Sequence, residues 1–275
     1  MSEAHNLENG LDQGQDEVLY DVSDHIATVT LNAPERMNTI SRTMLKALSD
    51  RFIEANEDPD VRVMILTGAG RAFCAGLDVK AQSQGTGLLK DTGGFKSIDL
   101  RNTPPTVLQS MDKPTICAVN GGAAGYGLDT ALGCDIRIMA DTAKLAAAFT
   151  KRGVVPESGG TWILPRLLGW SKASELIFTG RTLKGQEAVE WGLASEVVPA
   201  DQLMGRARAL AQEIAANAPL AVQSAKRMMR MGLNEPFAEH VHHVYLQLLP
   251  LMRTEDVKEG MAAFVEKRAP DFKGR

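Results

Sequence analysis

Along the first two-thirds of the chain, short apolar runs alternate with apolar stripes at helical spacing. Glu17–Asp21 and Ile26–Leu31 predict two strands joined at Ser23-Asp24, and Asn32-Ala33-Pro34 ends the second. Met44, Leu45, Leu48, Phe52 and Ile53 predict a helix that Ser41 caps, running through Ala55 and stopped by Asp58-Pro59. Val61–Leu66 and Thr115–Val119 read as buried strands and Asp135–Met139 as another. Leu100–Met111 and Tyr126–Leu132 read as helices. This alternation runs to about Val198 and defines an α/β class. From Asp201 onward the pattern is almost wholly helical. Asp201 is expected to cap a helix carrying Leu203, Ala207, Leu210, Ala211 and Ile214. Further helices fit Leu220–Met231, Pro236–Leu249 and Thr254–Lys267.

These periodicities divide the chain into an arm over residues 1–16, an α/β core over 17–200 and a helical region over 201–275. The arm is polar and acidic and is expected to be disordered, and it lacks the apolar stretch of a secretory signal. Gln82–Phe95, rich in Gly, Gln and Thr, reads as a mobile loop. No Pro/Ser-rich linker marks residue 200, so the helical region is expected to pack on the core or on a neighbouring subunit.

Composition narrows the class. With 275 residues, 44% apolar and 23% charged, the chain buries a core without metal or disulfide support. A net charge of −4, mixed along the chain, points away from nucleic acid. No apolar run approaches the ~20 residues of a membrane span. Cys74, Cys117 and Cys134 lie in or beside apolar runs without metal-like spacing, which suits a reducing, cytoplasmic compartment. His240 and His243 share a helical face but make too small a set for a metal site.

Chemistry concentrates at two Gly-rich turns, each after a strand-like run. The first is Gly68-Ala69-Gly70-Arg71-Ala72-Phe73-Cys74-Ala75-Gly76-Leu77-Asp78, and the second Asn120-Gly121-Gly122-Ala123-Ala124-Gly125-Tyr126-Gly127-Leu128-Asp129. Such turns expose backbone N–H groups, and the second also opens a helix, with orphan donors and partial positive charge at its start. Two donors converging on one oxygen make an oxyanion hole. Tyr126 is placed to aim its N–H at a ligand. No histidine lies near either turn, so Asp129 and Glu157 are the acid/base candidates. Either could instead be a helix-start carboxylate. The chain holds no G-x-S-x-G, no third glycine of a dinucleotide fingerprint and no G-x-x-x-x-G-K-[ST].

Thr67–Asp78, Lys113–Asp135 and Gly153–Leu168, together with Leu31–Pro34 and the tail Glu259–Arg268, resemble the crotonase superfamily of enoyl-CoA hydratases and isomerases. The resemblance spans about Val18 to Phe272. It implies a spiral of ββα units with a C-terminal helical trimerisation region, assembled as a homotrimer or dimer of trimers. It also implies an acyl-CoA thioester substrate with no separate cofactor, and an enolate held by the N–H groups of Ala75 and Tyr126. Ala72, Phe73, Gly76, Leu77, Asp78, Gly125 and Phe149 are then expected at the substrate. Arg36, Lys80, Lys267 and Phe264 are expected at the nucleotide. Tyr126 stands where relatives usually carry glycine. Of the two glutamates of the hydratases, the first position holds Asp129 and the second Phe149, which transfers no proton. Glu157 falls where the isomerases carry their catalytic acid. These departures favour double-bond isomerisation over hydration. Thioester or C–C hydrolysis and a non-catalytic acyl-CoA-binding role remain as alternatives.

Overall fold

A computed structural model describes residues 17–78 and 102–275. The expected arm, Lys80 and the Gln82–Phe95 loop lie outside the described residues.

The chain opens with the hairpin β1 (Val18–Ser23) and β2 (Ile26–Leu31). Its turn is at Asp24-His25, both with positive φ, the geometry that matches the twist of a two-residue hairpin. Helix α1 (Arg42–Glu57) follows, and the Ser41 side chain accepts from the Met44 N–H, as expected of an N-cap. Then come β3 (Val63–Gly68), β4 (Ala72–Cys74), α2 (Pro104–Ser110), β5 (Thr115–Val119), β6 (Gly122–Ala124), α3 (Tyr126–Gly133), β7 (Ile136–Ala140) and β8 (Lys144–Ala146). The next stretch holds α4 (Gly160–Leu168), α5 (Trp170–Thr179), β9 (Thr182–Lys184), α6 (Gly185–Trp191) and β10 (Glu196–Val198). The C-terminal helices are α7 (Leu203–Ala215), α8 (Pro219–Gly232), α9 (Phe237–Leu251) and α10 (Glu255–Glu266).

Among the described residues two sheets form, a six-stranded one ordered β1-β2-β3-β5-β7-β10 and a four-stranded one ordered β4-β6-β8-β9. Each of β3, β5 and β7 belongs to the large sheet, and the strand just after it belongs to the small one. The chain therefore winds as a spiral, one strand in each sheet per turn. Pairing is parallel from β2 through β10 in the large sheet and from β4 through β8 in the small one. β3 and β5 are buried at every position, as strands covered on both faces must be. Helix α7 covers one face of the large sheet, against β2, β3, β5 and β7. Asp201 does not cap it. That residue lies in a short 3-10 turn, Ala200–Gln202, and no side chain caps α7. Instead the stripe Leu203, Ala207, Ala211 and Ala215 buries the helix against the sheet.

Candidate active site

The spiral delivers both Gly-rich turns to one place. β3 and β5 are neighbours in the large sheet, β4 and β6 in the small one, and the turns lie where the chain steps between sheets. Two asparagines fasten the first turn. Buried Asn38 accepts from Ala33 N at 2.8 Å and donates from Nδ2 to the carbonyls of Ala69, Ala72 and Phe73 at 2.9, 2.8 and 3.1 Å. Asn120 accepts from Gly68 N at 3.1 Å and donates to Gly70 O at 3.0 Å and Ala72 O at 3.2 Å. Sequence reading assigned no role to either. Asn38 also takes a left-handed backbone, with φ of 53°, which asparagine tolerates better than most residues.

The donors of this site are backbone atoms, so pleat direction decides them. Ala75, the expected donor, directs its N–H to Met37 O at 3.0 Å and is spent. Leu77 replaces it. Leu77 forms a parallel bridge with Ile40, in which Ile40 N donates to Gly76 O and Asp78 N donates to Ile40 O. In such a bridge the N–H of Leu77 itself points to the opposite edge, and no described residue accepts from it. The residue before Leu77, Gly76, packs against the second turn. A Cβ added to Gly76, whose φ is 102°, would stand 2.9 Å from Ala124 O and 3.7 Å from Tyr126 N. Tyr126 N is the first amide of α3, and it too meets no acceptor among the described residues. Close packing of α3 permits this approach: a Cβ on Gly127 would stand 2.2 Å from Cys74 O. Leu77 N and Tyr126 N thus belong to two segments that touch at Gly76, and neither is spent among the described residues.

The Tyr126 side chain is buried and its Oη makes no hydrogen bond of good geometry, although Ser158 approaches it. Burial, with smaller contributions from the charges of Glu157 and Asp129, pushes its phenol pKa well up.

The two carboxyl groups occupy different environments. Asp129, on α3, is 0% exposed. Its Oδ2 accepts from Ser158 N at 3.0 Å, whereas Oδ1 is buried with no hydrogen bond of good geometry among the described residues, although the Gly160 amide approaches the carboxyl. Burial raises its pKa to about 7, the nearby charge of Glu157 adds to this, and the amides of Ser158 and Gly160 work against it. Between its unfolded pKa near 4 and its folded pKa near 7, the folded state binds more protons than the unfolded one. This group's contribution to stability is therefore full below pH ~4 and falls as pH rises to ~7. Glu157 is exposed, on the turn just before α4, between buried Pro156 and the Ser158 amide that Asp129 holds. The sequence-based view of Asp129 as a proton-transfer group meets an obstacle here, because no part of its carboxyl reaches solvent. Glu157 does reach it.

The remaining candidates divide. Gly125, with φ of 54°, forms the start of α3, and Asp78 and Leu77 are half-buried at the first turn. Phe73 is a correction: its side chain is 0% exposed inside the hydrophobic core, so it cannot touch a ligand. Ala72 offers that turn only backbone, and its carbonyl is already held by the two asparagines. Phe149 is also buried in the core. Arg36 is not free in this conformation, since its guanidinium pairs with Glu17 at 2.6 Å. Burial pushes the Glu17 carboxyl up, but hydrogen bonds from Ser41, Thr43 and Arg36 outweigh this and hold its pKa low. Phe264 is 86% exposed on α10, in the wall of an apolar groove of about 510 Å³. Lys267 ends α10 in a left-handed conformation, with φ of 55°. Among the described residues no group of three or more His, Cys, Asp or Glu could hold a metal ion. No described helix is long and apolar enough to cross a membrane.

With this geometry established, similarity to known proteins becomes informative. The sequence model of the enoyl-CoA hydratase/isomerase family matches residues 21–275. The (E)-benzylidenesuccinyl-CoA hydratase of Thauera aromatica is 38% identical, over 94% of this chain and 99% of that protein. The carnitinyl-CoA dehydratase of Salmonella typhi is 37% identical, over 91% of this chain and 95% of that protein. Among solved structures, an enoyl-CoA hydratase from Bacillus anthracis superimposes with a TM-score of 0.84 at 35% identity, covering 94% of this chain and all of the other.

Proposed function

We propose, from the premise that this chain belongs to the enoyl-CoA hydratase/isomerase family and has the crotonase fold, that it shifts a carbon–carbon double bond in an enoyl-CoA thioester. The thioester oxygen accepts from Leu77 N and Tyr126 N, and negative charge builds on it as a proton leaves the α- or γ-carbon. Glu157 takes that proton and returns it to the other carbon. One observation carries the choice of reaction: of the two acid/base candidates, Glu157 is exposed, while Asp129 is sealed and held by Ser158 N. A single carboxylate suffices for isomerisation, whereas adding water calls for a second group to handle the water. Phe149, where a second glutamate would serve hydration, supports the same reading. Each donor of an oxyanion hole lowers the barrier by about 3–4 kcal/mol, so two backbone amides supply a large part of the catalysis. Proton transfer of this kind calls for no metal or redox group.

A second reading has its own support. Asp129 and Glu157 interact electrostatically, and the raised pKa of Asp129 suits an acid. The relatives named above are a hydratase and a dehydratase. Incubating the enzyme with a 3-enoyl-CoA and a 2-enoyl-CoA separates the two. Interconversion of the double-bond isomers without a hydroxyacyl product is the expected result. Accumulation of the 3-hydroxyacyl ester would replace isomerisation by hydration.

Assembly and location belong to the same proposal. Phe237, Phe264 and Val265 are 83%, 86% and 79% exposed in the single chain, and α9 has no buried residue. Such a face supports a homotrimer, or a dimer of trimers, closing over the C-terminal helices. Phe264 and Lys267 would then meet a neighbour's CoA nucleotide, whereas Lys80, and Arg36 once released from Glu17, are the cations proposed beside the turns of the chain's own site. The free, buried cysteines suit the cytoplasm.

A further inference from the structure

Asp129 carries more than its burial explains. Helix α4 begins after Gly159, which has no side chain to cap it, so its first amides need an acceptor from elsewhere. Asp129 reaches across from α3 to Ser158 N at 3.0 Å, in the turn just before the helix, and the amide of Gly160, the first helical residue, also approaches it. It presses against the start of the helix so closely that a Cβ on Gly160 would stand 2.3 Å from Oδ1 and 2.9 Å from Pro156 Cβ. A carboxylate at a helix N-terminus also complements the helix dipole. The turn it holds carries Glu157, flanked by Ser158 on one side and buried Pro156 on the other. Asp129 stands one helical turn beyond Tyr126, the residue offering the second oxyanion donor. One side chain therefore ties the helix that presents the donor to the turn that presents the acid.

We propose that Asp129 is a positioning residue: it fixes the Glu157 carboxylate relative to the Tyr126 N–H by capping α4 from α3, and transfers no proton itself. This rests on the isomerase reading above. Its chemical requirement is an acceptor at Oδ2, not an ionisable group. A carboxamide meets that requirement and a methyl does not.

The test compares Asp129→Ala with Asp129→Asn. A misplacement of about 1 Å in a catalytic geometry costs on the order of 10²-fold. D129A is expected to lose kcat on that scale, with KM for the enoyl-CoA changed less than about threefold. D129N is expected to recover kcat to within several-fold of the wild type. Removing a buried carboxylate, it should also raise the thermal midpoint, and by more at pH 8 than at pH 5. An inactive but folded D129N overturns the proposal, because a proton-transfer group cannot be replaced by an amide. A fully active D129A overturns it equally. Should D129A fail to fold, Gly160→Ala probes the same contact from the other side. The added methyl forces the turn off Asp129, and full kcat in folded G160A contradicts the proposal. If the wild-type enzyme yields only hydroxyacyl product, the isomerase reading fails first, and this inference with it.

Discussion

Glu157→Gln is expected to lower kcat for double-bond migration by about 10³-fold, within the range attributed to a positioned acid–base group. The amide is isosteric and takes up no proton, so the enolate loses both the group that makes it and the group that quenches it. Binding should survive, because the contacts proposed for the thioester oxygen, Leu77 N and Tyr126 N, are left alone by the substitution. KM for an enoyl-CoA and the affinity for a saturated acyl-CoA should each stay within about threefold. Folding should be undisturbed as well, since the side chain is exposed and surface changes of this kind cost less than ~0.5 kcal/mol. Steady-state kinetics with a 3-enoyl-CoA decides the matter. A variant that retains a tenth or more of wild-type kcat transfers its proton elsewhere.

Gly127→Ala should act in the opposite way, through the backbone. The added methyl would lie 2.2 Å from Cys74 O and 2.7 Å from Cys74 Cβ. Neither atom can yield easily, because β4 is buried at all three positions and Cys74 is 0% exposed. Helix α3 must lift off β4, and overpacking of this kind costs about 1–3 kcal/mol. Lifting α3 also carries Tyr126 N away from Leu77 N. Loss of one oxyanion donor costs about 10²–10³-fold in kcat. The variant should therefore melt lower and lose most turnover, and the shift of α3 also draws Asp129 away from the turn that carries Glu157. Thermal unfolding and kcat are measured together. Unchanged turnover in a destabilised protein would separate the α3–β4 contact from the oxyanion hole.

Much of this fold was legible in the sequence, and the exceptions share a cause. Thr115–Val119 forms a strand over the expected residues, and Ser41 caps its helix, because both depend on local pattern. Both Gly-rich turns were identifiable from residue type. Which amide they offer was not. Ala75 and Leu77 differ only in the direction their N–H groups take, and that direction is set by Met37 and Ile40, far back in the chain. Asp201 has the residue type of a cap, yet the chain makes a 3-10 turn there and α7 starts later. Burial against the sheet determines that helix more strongly than a single cap does. Asp129 is the most instructive case. The role proposed for it rests on a hydrogen bond to Ser158, 29 positions away, and no spacing rule links the two. The departure at Tyr126 was visible in the sequence, but the burial of its hydroxyl was not.

The central claim is that a thioester oxygen rests between two main-chain amides with Glu157 poised over the carbons that exchange a proton. A crystal structure with a bound, unreactive acyl-CoA thioester tests it most directly. The carbonyl oxygen should lie about 2.7–3.1 Å from both Leu77 N and Tyr126 N, with the Glu157 carboxylate within contact of the α-carbon. A thioester oxygen that instead takes the Ala75 amide, or that lies beyond hydrogen-bond distance of Tyr126 N, would contradict the account.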